Sequence, residues 1–365
     1  MIEKSRTFYA SWSPWASRFL LLGVIILVVL PALPHAPLHI PGERGWGQPA
    51  QEMSDMKLYK QVVADVESGR DYYEAAAAEH RAFDYPTSPA QVFRPPTLAW
   101  ILAGLHFHFL QFAVLLGLYG AIIVLFFREL LIGGKPFPVR LAAIAAATTG
   151  LSIAGVDGAI YWHEVWAALL IALSLLSYRS NSWWAAIFLG LLACLIREIA
   201  VPYLLVMAGF ALYERRWKQL VAWCGAIILF AALISAHILL AGKLHKPGDL
   251  VSSSWLAFGG WDFIIATAKW NIFLHVLPYP LIALALCLGV IGLAGARDDR
   301  ARRATVVVTG YLIAFLVVGR PDNYYWGILY APLLPVGFLL APHALRDLFR
   351  SAFLAVPMTM KRAAN

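Results

Sequence analysis

Hydrophobic residues fill this chain in blocks of roughly 15 to 30 positions, broken by short polar turns rather than alternating with them. A helix of about 20 apolar residues spans a bilayer core about 30 Å thick. In lipid the backbone must satisfy its own hydrogen bonds, which leaves helices or closed barrels. Barrel strands alternate polar and apolar residues, and these blocks do not. The pattern predicts spans at Phe19–Leu33, Leu98–Phe127, Leu141–Val156, Val165–Tyr178, Leu220–Leu240, Ile272–Leu293, Ala304–Val318 and Tyr324–Leu340. The second would be about 45 Å long as one helix, so its first turns are expected outside the hydrocarbon. Lys4, Arg6 and Arg18 precede the first span, and Pro31 and Pro34 make a poor cleavage site. An uncleaved anchor is therefore expected.

The block Trp183–Tyr213 carries Arg197-Glu198 in its middle, followed by Pro202. It reads either as one tilted helix or as a hairpin of two short helices, 183–196 and 199–213. The cations choose between them. With the hairpin, 18 of the 29 Lys and Arg residues fall on the inner side, 10 on the outer side, and Arg197 at the tip. A single span would put the Arg297–Arg303 cluster outside, against the positive-inside rule. The expected fold is thus an all-α polytopic membrane protein with about 9–10 membrane helices, one of them broken or a hairpin, in a single integral membrane domain over 1–365. Its large outer segments are a first loop over 34–97 and a second over 241–271. Residues 341–365 form a basic tail expected on the inner face.

Composition narrows the class. The chain is 61% hydrophobic and 14% charged, which excludes a water-soluble globule and a disordered chain. Its net charge of +8 would suggest nucleic acid in a soluble protein. Here the cations flank apolar spans, so topology control and contact with membrane lipids are expected, and no nucleic acid. Cys194, Cys224 and Cys287 lie inside apolar blocks and make no zinc spacing. No G-x-G-x-x-G, P-loop or internal repeat is present.

The first outer loop is patterned. From Asp55 to Ser68, Tyr59, Val62, Val63 and Val66 fall at helical spacing on one face, and Gly69 ends the run. Asp71 to Phe83 contains an alanine run. Two short amphipathic helices on the membrane surface are expected. A turn-rich strip, 84–89, then leads into Phe93-Arg94-Pro95-Pro96 and the next span, with proline suited to a helix's first turn. Asp55 has two readings. It caps its helix, contributing about 1 kcal/mol, or it is a general base at the membrane boundary.

The order of these features resembles the GT-C class of membrane glycosyltransferases, which take sugars from a polyprenyl phosphate. The resemblance covers about the first 215 residues. It rests on Asp55 in Asp-x-x-x-Tyr after a first membrane helix, Gly69, Tyr72-Tyr73, Arg94-Pro95-Pro96, Trp162-His163-Glu164 opening a span, and Arg197-Glu198. It implies that an acidic residue of the first outer loop is the catalytic base, which falls on Asp55, with Asp65, Asp71 and Asp84 as substitutes. It also implies a polyprenyl-phosphate sugar donor, a glycan, lipid or protein acceptor, and a site facing the periplasm or outside of a bacterial inner (plasma) membrane.

Sugar transfer from phosphate to a hydroxyl needs a base for the acceptor proton, cations for the departing phosphate and rigid support of an oxocarbenium-like sugar. Arg197 is the expected phosphate contact, with Arg94 and Arg320 in the same role. Glu198, Asp157, His163, Glu164 and Asp322 are candidates for sugar binding. Tyr324, with Tyr325, Trp326 and Trp261, would stack on sugar faces. Against this, Arg197-Glu198 also reads as a structural ion pair in the hairpin, and the aromatic residues as an interfacial belt. His163 and Glu164 are adjacent and point to different helix faces, so no metal and no other cofactor is expected. A lipid or small-molecule transporter and an envelope-assembly scaffold are the alternatives to an enzyme.

Overall fold

The computed structural model describes residues 7–33, 54–132, 134, 136–150, 152–155 and 158–354. Fourteen α-helices run through them: α1 Pro14–Val29, α2 Ser54–Glu67, α3 Tyr72–Ala82, α4 Thr97–Leu105, α5 His108–Ile132, α6 Phe137–Gly150, α7 His163–Ser177, α8 Trp184–Ile196, α9 Val201–Tyr213, α10 Trp217–Ala241, α11 Gly260–Ala268, α12 Tyr279–Gly295, α13 Asp299–Val317 and α14 Leu334–Phe349. Among the described residues there are isolated β-bridges but no strand. Among the described residues, three helices are long and apolar enough to cross a membrane: Pro14–Ala32, His108–Leu130 and Trp217–Ala241. A fourth crossing forms if Pro321–Leu329 and Leu334–Leu354, bent by 73°, count as one. α7, α8, α9 and α12 are shorter apolar helices.

α7 is the axis of the core. Every residue from Val165 to Leu173 is buried, as a helix apolar all round requires. α8 and α9 pack beside it as a hairpin. A Cβ on Gly190 of α8 would stand 2.9 Å from the Tyr203 ring of α9, 13 positions further along the chain. A continuous helix would separate them by about 20 Å. The Ser174 hydroxyl of α7 donates to the Ala186 carbonyl of α8 at 2.5 Å and meets the Tyr203 hydroxyl of α9 at 2.6 Å, tying the three together. Elsewhere α12 and α14 cross with backbones nearly touching. A Cβ on Gly292 would lie 1.9 Å from the Gly337 carbonyl oxygen.

α2 and α3 form where the apolar spacing places them. Asp71 caps α3, accepting from the Tyr73 and Glu74 N–H groups at 2.8 and 3.2 Å, and Gly69 turns the chain at φ +94°. Their apolar faces, with Leu58, Val62 and Tyr72 buried, join Leu98 and Leu102 of α4 in the protein core. Burying each such side chain contributes about 1.5–3 kcal/mol.

Four segments are built differently in detail from the plain spans and loops that the spacing predicts. Leu98–Phe127 is not one helix: His106, at φ +52°, breaks it into α4 and α5, and the Gln111 amide donates back to the Leu102 carbonyl at 2.8 Å. The second outer segment, 241–271, contains α11, whose residues Phe263–Ala268 are all buried. Tyr324–Leu340 divides into a 3-10 helix, Pro321–Leu329, and α14. Residues 341–354 continue α14 and a π-turn that docks on the N-terminal segment. Arg18 donates to the Ala352 carbonyl at 2.9 Å and Ser351 to the Trp12 carbonyl at 2.6 Å.

Candidate functional site

The hairpin tip builds the site. Ile196 ends α8 because Arg197 turns extended, at φ −142° and ψ 108°. Glu198 opens a three-residue 3-10 turn, and Pro202 sits in the first turn of α9, with φ already preset for helix. The Arg197 side chain is only 1% exposed. Its Nε donates to Glu164, in the first turn of α7, and its Nη1 donates to Glu198. Its Nη2 is buried with no partner. The Trp326 ring lies 5.9 Å from the guanidinium.

Arg94 comes from the Pro-Pro lead-in to α4. Its backbone is fixed by the Tyr72 hydroxyl, which donates to the Arg94 carbonyl at 2.5 Å. Its Nη2 donates to the Tyr325 hydroxyl at 3.0 Å and stands 3.9 Å from Glu164. Glu164 thus lies between two guanidiniums and is itself 3% exposed. Tyr59, one turn along α2 from Asp55, places its ring 5.9 Å from Arg94 and 4.8 Å from His163.

Asp55 closes the cluster. Its carboxylate accepts the Tyr85 hydroxyl and lies within electrostatic reach of Arg94, Glu164 and Arg197. Burial pushes its carboxyl above the ordinary carboxylate range, while the Tyr85 hydroxyl, Arg94 and Arg197 act to lower it. The same burial raises the Tyr59 phenol well above its usual value. Among the described residues, three carboxylates (Asp55, Glu164, Glu198) therefore face two guanidiniums, a surplus of one negative charge when all are ionised.

The substitutes for Asp55 are occupied or placed elsewhere. Asp65 binds Arg70 at 2.6 Å, Asp71 caps α3, and Asp84 holds a left-handed turn at φ +58°. Arg320 and Asp322 do not join the cluster. They pair with each other at 2.7 Å, and Arg320 also donates to the Ser252 and Ser253 hydroxyls of the 241–271 segment at 3.2 and 2.9 Å. Tyr324 stands beside the cluster in an aromatic wall, 5.3 Å from Trp270, which packs on Trp162 at 4.9 Å. Asp157 lies outside the described residues. His163 is buried beside Glu164, with Nδ1 unpartnered. Among the described residues no group of three or more His, Cys, Asp or Glu side chains is arranged to hold a metal ion.

Tyr85 and Tyr59 were not among the sequence candidates. Tyr59 carried a signal, four residues after Asp55 and so on the same helix face. Tyr85 carried none, since a turn-rich strip does not disclose which way its ring points. A cavity of about 10 Å³, room for about one water, adjoins the cluster and is lined by Tyr59, Tyr72, His80, Leu98, Leu102 and His163, among others. Asp55 and Arg197 do not line it.

No protein-family model, curated protein or solved structure matches this chain.

Proposed function

We propose that the protein is an inverting glycosyltransferase that moves a sugar from a polyprenyl-phosphate carrier to an acceptor hydroxyl at the outer face of a bacterial inner membrane. The GT-C-like arrangement of about 9–10 membrane helices belongs to this reading, with the shorter apolar helices counted beside the long ones. One observation carries it: Asp55, Arg94, Glu164 and Arg197, from four separate segments, share one largely buried cluster. Charged groups gathered among apolar helices are costly and tend to mark function.

In this reading Asp55 takes the acceptor's hydroxyl proton. The acceptor oxygen bonds to the anomeric carbon as the sugar–phosphate C–O bond breaks on the opposite face, which inverts the configuration. The electron pair leaves on phosphate, held by Arg197 and Arg94. A raised Asp55 pKa suits the role, since a base works best near the working pH. Glu198 and Glu164 bind sugar hydroxyls or orient the guanidiniums, and Tyr324 and Trp270 offer ring faces to the sugar. The donor reaches the cluster sideways from the lipid. The test is incubation of the purified protein with a panel of polyprenyl-phosphate sugars and acceptor extracts. Sugar transfer by the wild type and its loss in folded Asp55→Asn support the reading; full transfer in folded Asp55→Asn removes Asp55 from the mechanism.

A further inference from the structure

We infer that Glu198 is a resident anion that occupies the place of the donor phosphate on Arg197 and gives it up when a phosphodiester binds. This rests on the phosphate role proposed above for Arg197. The two carboxylates on that guanidinium are not equivalent. Glu164 is 3% exposed, sits in the first turn of a helix buried from His163 to Leu175, and also faces Arg94 at 3.9 Å. It is a fixed counter-ion. The Glu198 side chain is 24% exposed and hangs from a three-residue turn at the hairpin tip. One of its oxygens holds Nη1 of Arg197, and the other, Oε2, is buried without a partner. Beside Nη1, Nη2 has no partner, and neither has Nε1 of Trp326, whose ring lies against the guanidinium. Rotating Glu198 toward solvent therefore opens Nη1 next to an already vacant Nη2. That pair is the fork that binds two phosphate oxygens in parallel.

Charge identifies the ligand. With Glu198 in place, three carboxylates face two guanidiniums. With Glu198 turned out, two face two, and a singly charged phosphodiester restores the original surplus. A phosphomonoester, close to doubly charged at pH 8 because its second pKa is about 6, would add one charge more where screening is weak. The exchange breaks no covalent bond and favours a sugar-bearing phosphodiester over the bare lipid phosphate left after transfer.

The experiment measures binding of radiolabelled farnesyl methyl phosphate, a phosphodiester with no sugar to transfer, to the full chain in a maltoside detergent at pH 8. Farnesyl phosphate serves as the monoester competitor. Glu198→Gln and Glu198→Ala are each expected to bind the diester about tenfold more tightly than wild type, because an internal competitor is gone. Arg197→Lys is expected to lose most of the binding, with its elution on gel filtration unchanged. The monoester is expected to compete at least about tenfold less well than unlabelled diester in the wild type. Unchanged or weaker binding in both Glu198 variants, alongside loss in Arg197→Lys, overturns the resident-anion role and leaves the phosphate site standing. Equal competition by the monoester overturns the charge selection. No saturable binding by wild type or by either Glu198 variant overturns the phosphate site itself, and this inference with it.

Discussion

Two arginines, each about 1% exposed, stand at opposite ends of α9, separated by about 20 Å of helix. Arg303 binds Glu214, just past the end of α9, at 2.7 Å, the Tyr178 hydroxyl at 3.2 Å and the Asp299 carbonyl at 3.0 Å. The rings of Tyr178 and Phe210 lie 4.5 and 4.6 Å from its guanidinium. The partly exposed Arg216 and Arg302 surround the same Glu214 and Asp299, so cations outnumber carboxylates three to two. That network joins helix ends that are already neighbours and reads as a clasp. Around Arg197 the balance is reversed, three carboxylates to two guanidiniums, and the partners come from positions 55, 94, 164 and 198. Burial of an arginine therefore does not separate a clasp from a site. The sign of the surplus does.

The largest effect expected from breaking the comparison is on transfer. Asp55→Asn should reduce the rate about 10²–10⁴-fold, the contribution of a positioned base, in a radiolabelled sugar-transfer assay. Its fold should be retained. The folded pKa of Asp55 lies above its unfolded value, so its stabilising contribution is complete below the unfolded pKa and is lost as pH rises through the folded one. Near pH 7 a neutral Asn therefore costs no stability through charge. Arg197→Lys should cost about 10²–10³-fold in transfer, because a point charge would replace the fork proposed to hold the phosphate.

Arg303→Ala should act on stability instead. Arg216 still faces Glu214 at 3.0 Å, so losing the charged hydrogen bond costs about 1.5–3 kcal/mol, read as earlier unfolding in detergent, and Arg303→Lys should transfer sugar within about twofold of wild type. The smallest effect belongs to Tyr85→Phe. With Asp55 as the proposed base, transfer would need it ionised, so the rate should fall on the acid side with a midpoint above the ordinary carboxylate range. The Tyr85 bond lowers that pKa, so removing it should move the midpoint further up. A midpoint that stays in place would show that Asp55 does not set the profile.

Helical periodicity disclosed α2, α3 and both arms of the hairpin, because each rests on local spacing, a cap or a break: Val62 and Val63 at one face, Asp71 before α3, Arg197 between two apolar arms. It missed the break at His106, since a non-glycine residue in a left-handed conformation leaves no mark in an apolar block. It missed α11, whose buried run Phe263–Ala268 looks like any short apolar stretch inside a loop. In the site, Asp55 was legible as an acid opening a loop helix, and Arg94, Glu164 and Arg197 as charges beside or within apolar blocks. Arg320 and Asp322 were equally legible and went elsewhere, to each other and to Ser252 and Ser253. Charge in sequence marks candidates, while tertiary convergence decides which of them meet.

A double-mutant cycle on sugar transfer, comparing wild type, Asp55→Asn, Arg197→Lys and the combined variant, tests that convergence most directly. Two groups acting on one reacting sugar phosphate should be strongly non-additive, with the double variant little slower than the slower single one. Losses that simply multiply, or a folded Asp55→Asn protein that transfers sugar at the wild-type rate, would contradict a shared site.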